Sequence, residues 1–236
     1  LELSWVFGFG APGVRMNCHY CATGAVAFHA AEVCVLQSVG TEEEGFKPRQ
    51  EFFLDHGLSI SALALSADGA TLASGDGGDE AKVCVWDAAT RESKAVFRGF
   101  HRGAVTVLDF SKCGKLLLSV DARDHLALWD LAAKSKVASF VLGKKTYAAC
   151  FTAHSLCFVS CGADHVTFWM ASGQDKYNFA PKAGLPGAAG KKARTASGDG
   201  ELLLWKGRNC FQTTEAHVGA IAALHFTSGG TKTALL

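Results

Sequence analysis

Residues 101–130 read HRGAVTVLDFSKCGKLLLSVDARDHLALWD and contain three short apolar runs separated by polar turns. The runs cover residues 105–110, 116–120 and 125–129, and a fourth run follows at 136–140. The segments between them are rich in Ser, Asp, Lys and Gly, which is the composition of turns. Short apolar runs at this spacing predict an antiparallel sheet of four strands.

The same pattern recurs along the chain, and each copy ends in a tryptophan. Successive copies are 43, 40 and 36 residues apart, which compares with ~40–45 residues for one blade of a WD-repeat propeller. The tryptophans are Trp86, Trp129, Trp169 and Trp205, and the first two are followed by Asp. The sequence therefore predicts an all-β, WD-repeat β-propeller. About six blades of ~40 residues fit in the chain, so a usual ring of about seven would be covered incompletely.

The composition agrees with this fold class and argues against several functions. Hydrophobic residues make up 49% of the 236 residues, and 26 Gly with only 4 Pro favour an all-β fold over a helical bundle. The formal charge of +1 gives no reason to expect nucleic acid or a membrane as partner. No apolar run approaches the ~20 residues of a membrane span, and the first residues lack the basic start of a signal peptide. The nine cysteines are expected to be reduced and buried.

Residues 1–54 lack the Trp-Asp (WD) ending of the repeat but are long enough for one more blade. Strands are expected at 3–10, 16–21, 25–30 and 32–38, followed by a charged loop at 40–50. The segments WVFGF (5–9), NCHYCATG (17–24) and VCVL (33–36) resemble, in order, the HELP motif that opens the propeller of the echinoderm microtubule-associated protein-like (EML) family. The resemblance implies that residues 1–54 are a HELP-like opening blade of the same propeller as residues 55–236. It also implies that Trp5, Phe7 and Phe9 are buried in the core.

The resemblance continues through the later blades, where DHG (55–57), GFHRGAVT (99–106) and CGADHVTFW (161–169) are similar to EML segments. It implies a non-enzymatic, microtubule-associated scaffold of the cytoplasm and cytoskeleton, with tubulin and axonemal proteins as partners and the cilium as a further location. Two ciliary propeller families share the later blades, one found at centrioles and one inside doublet microtubules. A general protein-interaction adaptor, in signalling or in a ubiquitin ligase, is the alternative function.

Polar residues inside the blades raise the question of an enzyme. In the central blade, His101, Ser119, Asp124 and Trp129 are expected to form a buried hydrogen-bonded chain. A Ser-His-Asp hydrolase needs its nucleophile exposed at a strained turn beside an oxyanion hole, whereas Ser119 lies within an apolar run. Similar residues recur in another blade, as with His56 and Ser74. The sequence therefore predicts a structural role for these residues and no catalytic site.

Two patterns match binding motifs only superficially. Residues 8–13 fit the dinucleotide fingerprint GxGxxG, but no helix is expected after them to face a pyrophosphate. Cys18 and Cys21, with Cys157 and Cys161 farther on, could suggest zinc. However, residues at i and i+3 of a strand face opposite sides. We predict no cofactor and no metal here.

The first complete WD blade is expected to have strands at 60–65, 71–74, 82–86 and 94–97. Its loop GDGGDE (75–80) carries carboxylates that could ligate calcium. The regular EF-hand spacing and its terminal glutamate are missing. The favoured interpretation is a hairpin loop in which Gly supplies positive φ.

The later part of the chain departs from the repeat. The third WD blade is expected to have strands at 146–151, 157–161 and 165–170, but the hairpin at 197–205 has no apolar first strand before it. A blade without its innermost strand would leave backbone groups unpaired. We therefore expect that two parts of a longer sequence are joined between about Ala183 and Arg194, and that a further blade opens at 216–221.

Basic side chains supply the candidate partner-binding residues. They form two clusters, Lys144 with Lys145, and Lys191 and Lys192 with Arg194. Either cluster could meet the acidic surface of tubulin. Because isolated exposed charge pairs contribute little, solvated loops are the alternative interpretation.

Overall fold

The computed structural model describes residues 3–10, 14, 17–40, 45–152, 156–162, 165–171 and 177–184, together with the backbone of four strands between residues 201 and 235. Every regular element in this described part is a β-strand, and the strands form four four-stranded sheets and two hairpins. The same part of the chain contains no helix that is long and apolar enough to cross a membrane.

Each four-stranded sheet is an antiparallel meander in which consecutive strands pair in chain order, and we number the sheets as blades 1 to 4. Blade 1 contains β1 Cys18–Tyr20, β2 Val26–Ala30, β3 Val33–Ser38 and β4 Arg49–Phe53. Blade 2 contains β5 Ile60–Leu65, β6 Thr71–Asp76, β7 Val83–Asp87 and β8 Ser93–Phe97. Blade 3 contains β9 Val105–Phe110, β10 Leu116–Asp121, β11 His125–Asp130 and β12 Ser135–Val141. Blade 4 contains β13 Thr146–Phe151, β14 Cys157–Gly162, β15 His165–Ala171 and β16 Phe179–Ala183.

Two hairpins follow blade 4. They are β17 Glu201–Lys206 with β18 Asn209–Glu215, and β19 Phe226–Gly229 with β20 Lys232–Leu235. The junction expected between about Ala183 and Arg194 lies almost entirely outside the described residues, and so does the blade opening expected at 216–221.

The predicted strands agree with the observed ones in blades 2, 3 and 4, but the last strand of blade 4 was not anticipated. Strand β16 pairs with β15, and Pro181 lies opposite Trp169. The sequence around Pro181 is unlike a central strand because Pro cannot donate a ladder hydrogen bond. On an outer edge strand the missing N–H costs nothing, which explains why Pro is accommodated there.

The first strands of consecutive blades lie side by side, as they do around a propeller axis. The Ser61 hydroxyl on β5 donates to the Val105 carbonyl on β9 at 2.7 Å. On the other side of β9, the Asp109 carboxylate accepts from the Phe151 N–H on β13 at 2.6 Å. These hydrogen bonds join neighbouring blades and fix their order around the axis.

The hydrophobic core lies between the blades, in three clusters that fill the spaces between blades 1 and 2, 2 and 3, and 3 and 4. The tryptophans that mark the repeat lie in these spaces. The ring of Trp129 stacks on that of Phe97, with centroids 4.4 Å apart. Trp169 packs against Phe140 of the preceding blade at 4.7 Å. Blades 2, 3 and 4 therefore each bury a tryptophan against an aromatic residue of the blade before it.

The Asp of the WD dipeptide shapes the turn that follows it. Asp87 accepts hydrogen bonds from the backbone N–H groups of Ala89 and Thr90, and its other oxygen lies 2.8 Å from Lys94 Nζ. The hydrogen bond from Lys94, with those from the two backbone groups, lowers the pKa of Asp87 to about 2. Asp130 accepts the equivalent bonds from Ala132 and Ala133. In each Trp-Asp dipeptide, the tryptophan packs between two blades and the aspartate accepts backbone N–H groups of the turn that follows.

The cysteines only partly follow the prediction. None of the eight described cysteines forms a disulfide, and Cys21, Cys34 and Cys84 are buried as expected. Cys18, Cys113 and Cys150 are exposed, so burial of all the thiols was wrong. Cys113 lies in the turn between β9 and β10 rather than in a strand, which explains its exposure.

Candidate interaction surface

The predicted polar chain in blade 3 is present, but with a different carboxylate. The Ser119 hydroxyl lies 2.7 Å from His101 Nε2 and accepts from Trp129 Nε1 at 2.8 Å. Asp121, not Asp124, faces the histidine, with its Oδ2 3.4 Å from His101 Nδ1. Burial lowers the pKa of His101, although the charge of Asp121 opposes this shift.

Asp124 is placed elsewhere by the local backbone. Its φ is +63°, in the left-handed region that Asp tolerates in turns. Its carboxylate accepts from the Thr146 N–H at 2.8 Å and so joins blade 3 to blade 4. Asp121 instead ends β10, and its carboxylate accepts the backbone N–H groups of Arg102, Arg123 and His125.

The chain recurs in blade 2 in a complete form. His56 Nε2 lies 2.7 Å from the Ser74 hydroxyl, which also accepts from Trp86 Nε1 at 3.1 Å. His56 Nδ1 lies 3.0 Å from Asp76 Oδ2. The prediction that His56 and Ser74 repeat the arrangement of the central blade is therefore confirmed.

Blade 4 retains only half of the arrangement. Trp169 Nε1 donates to the Ser160 hydroxyl at 2.9 Å, but Leu142 stands at the position of the histidine and Gly162 at that of the aspartate. A Cβ at Gly162 would lie 1.8 Å from the Lys145 carbonyl oxygen, so no side chain fits there.

These geometries give the serines a structural role. Ser74 and Ser119 are both 0% exposed, and each hydroxyl is held between an imidazole and an indole. A nucleophile must reach substrate, and neither hydroxyl can do so. The repetition of the arrangement in two blades further supports a role in holding each blade together.

The patterns that suggested ligands are not assembled into sites. Cys18 is exposed and Cys21 is buried, so the two thiols face different environments. In the loop 75–80, the Asp76 carboxylate accepts from the Lys82 N–H at 2.8 Å, and Gly78 has a φ of +114°, as a hairpin loop requires. Within the described ranges, no group of three or more His, Cys, Asp or Glu side chains is placed to hold a metal ion.

The first of the two basic clusters lies in the connection between blades 3 and 4. Lys144 and Lys145 are exposed in the β12–β13 connection, and Lys145 Nζ donates to the Ala122 carbonyl at 2.9 Å. This hydrogen bond ties the connection to the β10–β11 turn. The second cluster, Lys191, Lys192 and Arg194, lies outside the described residues.

The aromatic segment 3–10 is not the core strand that the sequence suggested. Phe7 is 89% exposed and Phe9 is 60% exposed, whereas Trp5 is partly buried. The segment forms no ladder with a described strand, although the Gly10 N–H donates to the His29 carbonyl on β2 at 2.8 Å. Instead, Gln50 accepts from the Val6 N–H at 2.7 Å and donates to the Val6 carbonyl at 3.1 Å. The alternation of large and small residues predicted a core strand. Because the Gln50 side chain pairs with the backbone of Val6 in place of a neighbouring strand, the Phe7 and Phe9 rings lie outside the core.

An apolar groove of about 330 Å³ lies between this segment and blade 1. It is lined by Trp5, Phe7, Phe9 and Phe28, with Gln37 and Gln50 at its polar side. The two glutamines are hydrogen-bonded to each other at 2.9 Å. Sequence reasoning missed both, because nothing in the local pattern shows that Gln50 reaches back 44 residues to Val6.

Comparison with known proteins confirms the fold. A family model for the WD domain, G-beta repeat, matches residues 47–87. The chain is also similar to the β-propeller domain of Cps50 (Swd1) from Myceliophteria thermophila, with a TM-score of 0.59 and 19% identity over 70% of this chain and 58% of that one. The chain therefore contains WD repeats and folds as a WD-repeat β-propeller.

Several of the relatives are named for microtubules, centrioles or cilia. Echinoderm microtubule-associated protein-like 2 of Rattus norvegicus is 37% identical over 150 residues, or 58% of this chain and 22% of the relative. Centriole proteome protein 16 of Chlamydomonas reinhardtii is 32% identical over 56% of this chain and 7% of its own length. Cilia- and flagella-associated protein 52 of Macaca fascicularis is 29% identical over 58% of this chain and 24% of its own.

These similarities confirm the predicted resemblance to EML proteins and to ciliary propellers. The chain spans only about a fifth of the length of the EML relatives that it matches. The HELP motif is a resemblance in the sequence alone.

Proposed function

We propose that this chain is part of a non-enzymatic, microtubule-associated scaffold that binds the tubulin lattice or a ciliary doublet. The observation that carries the proposal is the similarity over 150 residues to an echinoderm microtubule-associated protein-like protein. Centriolar and ciliary proteins are among the other relatives. Cytoskeletal partners and a location on cytoplasmic or axonemal microtubules follow from the same similarity.

The arrangement of polar groups supports binding rather than catalysis. The hydroxyls of Ser74 and Ser119 are buried and already paired, which argues against either serine as a nucleophile. In this proposal, residues 1–54 form the opening blade of the propeller that continues through residues 55–236. Tubulin and axonemal proteins are the proposed partners, and nucleic acid and membranes are not, because the formal charge is only +1.

Co-sedimentation with stabilised microtubules across a salt series tests the proposal, with unpolymerised tubulin as the control. Pelleting that weakens as salt rises is expected, because contacts between exposed charges are screened. Absence of pelleting at every salt concentration would contradict direct lattice binding.

A general protein-interaction adaptor is the second candidate function. It is favoured by the match of residues 47–87 to the WD-domain model, which by itself specifies no partner. Such an adaptor would capture a soluble partner and show no preference for polymerised over unpolymerised tubulin in the same experiment.

A further inference from the structure

Four exposed cations lie at one end of blades 3 and 4. In antiparallel blades, the connections before β9, between β10 and β11, and before β13 all emerge at the same end. These connections carry Arg102, Arg123, Lys144 and Lys145, and all four side chains are exposed. We call this set the cationic ledge.

Hydrogen bonds hold the three connections against one another. The Ala122 N–H donates to the Ala104 carbonyl at 2.8 Å, and Lys145 Nζ donates to the Ala122 carbonyl at 2.9 Å. Arg123 packs beside Gly103, where an added Cβ would lie 3.4 Å from Arg123 Cγ. The ledge is therefore one continuous surface built from three connections of the chain. In the sequence only Lys144 and Lys145 are adjacent, so the contribution of Arg102 and Arg123 is not evident there.

Most cations of the ledge are not paired with a carboxylate of the described residues. Asp121 is buried and accepts three backbone N–H groups, and Asp124 accepts the Thr146 N–H. Of the four ledge cations, Arg123 is paired with a described carboxylate, since its Nη2 lies 2.9 Å from Asp79 Oδ1. Arg102, Lys144 and Lys145 have no carboxylate partner among the described residues.

We propose that the cationic ledge binds an acidic, unstructured segment of a partner protein. Exposed charges that face one direction attract a partner of opposite sign and set its orientation. The ledge is short and the chain carries a formal charge of only +1, which suits a short acidic peptide better than a long nucleic-acid duplex. This inference rests on the proposed function in one respect, namely that the acidic segment belongs to a cytoskeletal protein.

Fluorescence anisotropy with a labelled oligoglutamate peptide tests the ledge directly. The charge-reversal variant Lys144→Glu/Lys145→Glu is compared with Lys112→Glu/Lys115→Glu, an equal change at exposed lysines in the turn at the opposite end of blade 3. We expect the first variant to weaken peptide binding by about tenfold or more and the second by less than about twofold. Arg123→Gln, which leaves the Lys145 hydrogen bond intact, should also weaken binding, and thermal unfolding confirms that each variant is folded.

Three outcomes would overturn the inference. They are absence of peptide binding by the unaltered protein, equal loss in the two double variants, and tighter binding of a labelled oligothymidine than of the peptide. Microtubule co-sedimentation, measured in parallel, separates this inference from the proposed function. If the protein binds the peptide but does not pellet with microtubules, the ledge inference stands and direct lattice binding is contradicted. If the protein pellets but does not bind the peptide, lattice binding is supported and the ledge inference is contradicted.

Discussion

The indole ring of Trp86 lies flat on the phenyl ring of Phe53, with centroids 4.6 Å apart and planes inclined by 5°. Phe53 ends the outer strand of blade 1, and Trp86 belongs to the third strand of blade 2. The pair therefore belongs to the buried cluster between these two blades. Trp86 is 0% exposed, and its Nε1 is already occupied by Ser74.

Truncation of this pair should be costly. Trp86→Ala is expected to lower the free energy of unfolding by about 3–5 kcal/mol, because it removes a buried ring and leaves a cavity. In a double-mutant cycle with Phe53→Ala, the two changes should be coupled by about 0.5–1.5 kcal/mol from the stacked geometry. Urea unfolding measures both values. Leu54→Ala, at a position that is 59% exposed, is the control, and a comparable loss there would contradict the explanation.

The buried serine of blade 3 provides a second test. Ser119→Ala should destabilise the protein by about 2–4 kcal/mol, because it leaves both Trp129 Nε1 and His101 Nε2 without a partner. Ser139→Ala, on an exposed position of β12, should change stability by less than about 0.5 kcal/mol. Thermal unfolding of the two variants checks the difference. Similar small losses in both would mean that the polar chain contributes little.

The fold was predictable from the sequence because its signals are local and repeated. Each Trp follows a strand pattern, and each strand lies next to the one before it. The carboxylate of blade 3 was misassigned because Asp121 and Asp124 sit at the two ends of one turn, and only the positive φ of Asp124 turns its side chain toward Thr146. The cationic ledge depends on loops from different blades, which no local pattern brings together.

The aromatic segment shows the limit of reasoning from alternation. The pattern of residues 5–9 is that of a half-buried strand, yet Phe7 and Phe9 lie outside the core because Gln50 replaces a strand partner. We expect Phe7→Ser/Phe9→Ser to change the free energy of unfolding by less than about 1 kcal/mol. Chemical denaturation measures this change. A loss like that of Trp86→Ala would show that both rings are buried in solution.

Thiol reactivity should separate the cysteines by burial. Burial raises the pKa of Cys34 and of Cys84 to about 12, so both should be protonated and protected at pH values near 8. Cys18 and Cys113 are exposed and should react first with iodoacetamide. Peptide mass spectrometry after brief labelling identifies the modified residues, and labelling in urea is the control in which all should react. Rapid modification of Cys34 in the folded protein would contradict the packing between blades 1 and 2.

The inter-blade carboxylate Asp109 should make stability depend on pH. Burial raises its pKa to about 6 from an ordinary value of 3.8, although the N–H groups of Phe151 and Phe110 oppose the shift. Between these pH values the folded chain keeps a proton that the unfolded chain has released. The contribution of Asp109 to the free energy of unfolding is therefore fully present below about pH 4. It decreases by roughly 1–3 kcal/mol as pH rises through 6.

Asp109→Asn tests this dependence, because its side-chain oxygen can still accept from Phe151 N–H but carries no charge. The variant should be more stable than the unaltered protein at pH 7, by roughly 1–3 kcal/mol, and should lose that advantage below about pH 4. Ser139→Ala, at an exposed position that carries no titratable group, is the control and should show no such change. Urea unfolding at a series of pH values measures the slopes. An advantage that stays constant from pH 4 to 7 would contradict the explanation, because it would show that the protonation of Asp109 does not set the difference in stability.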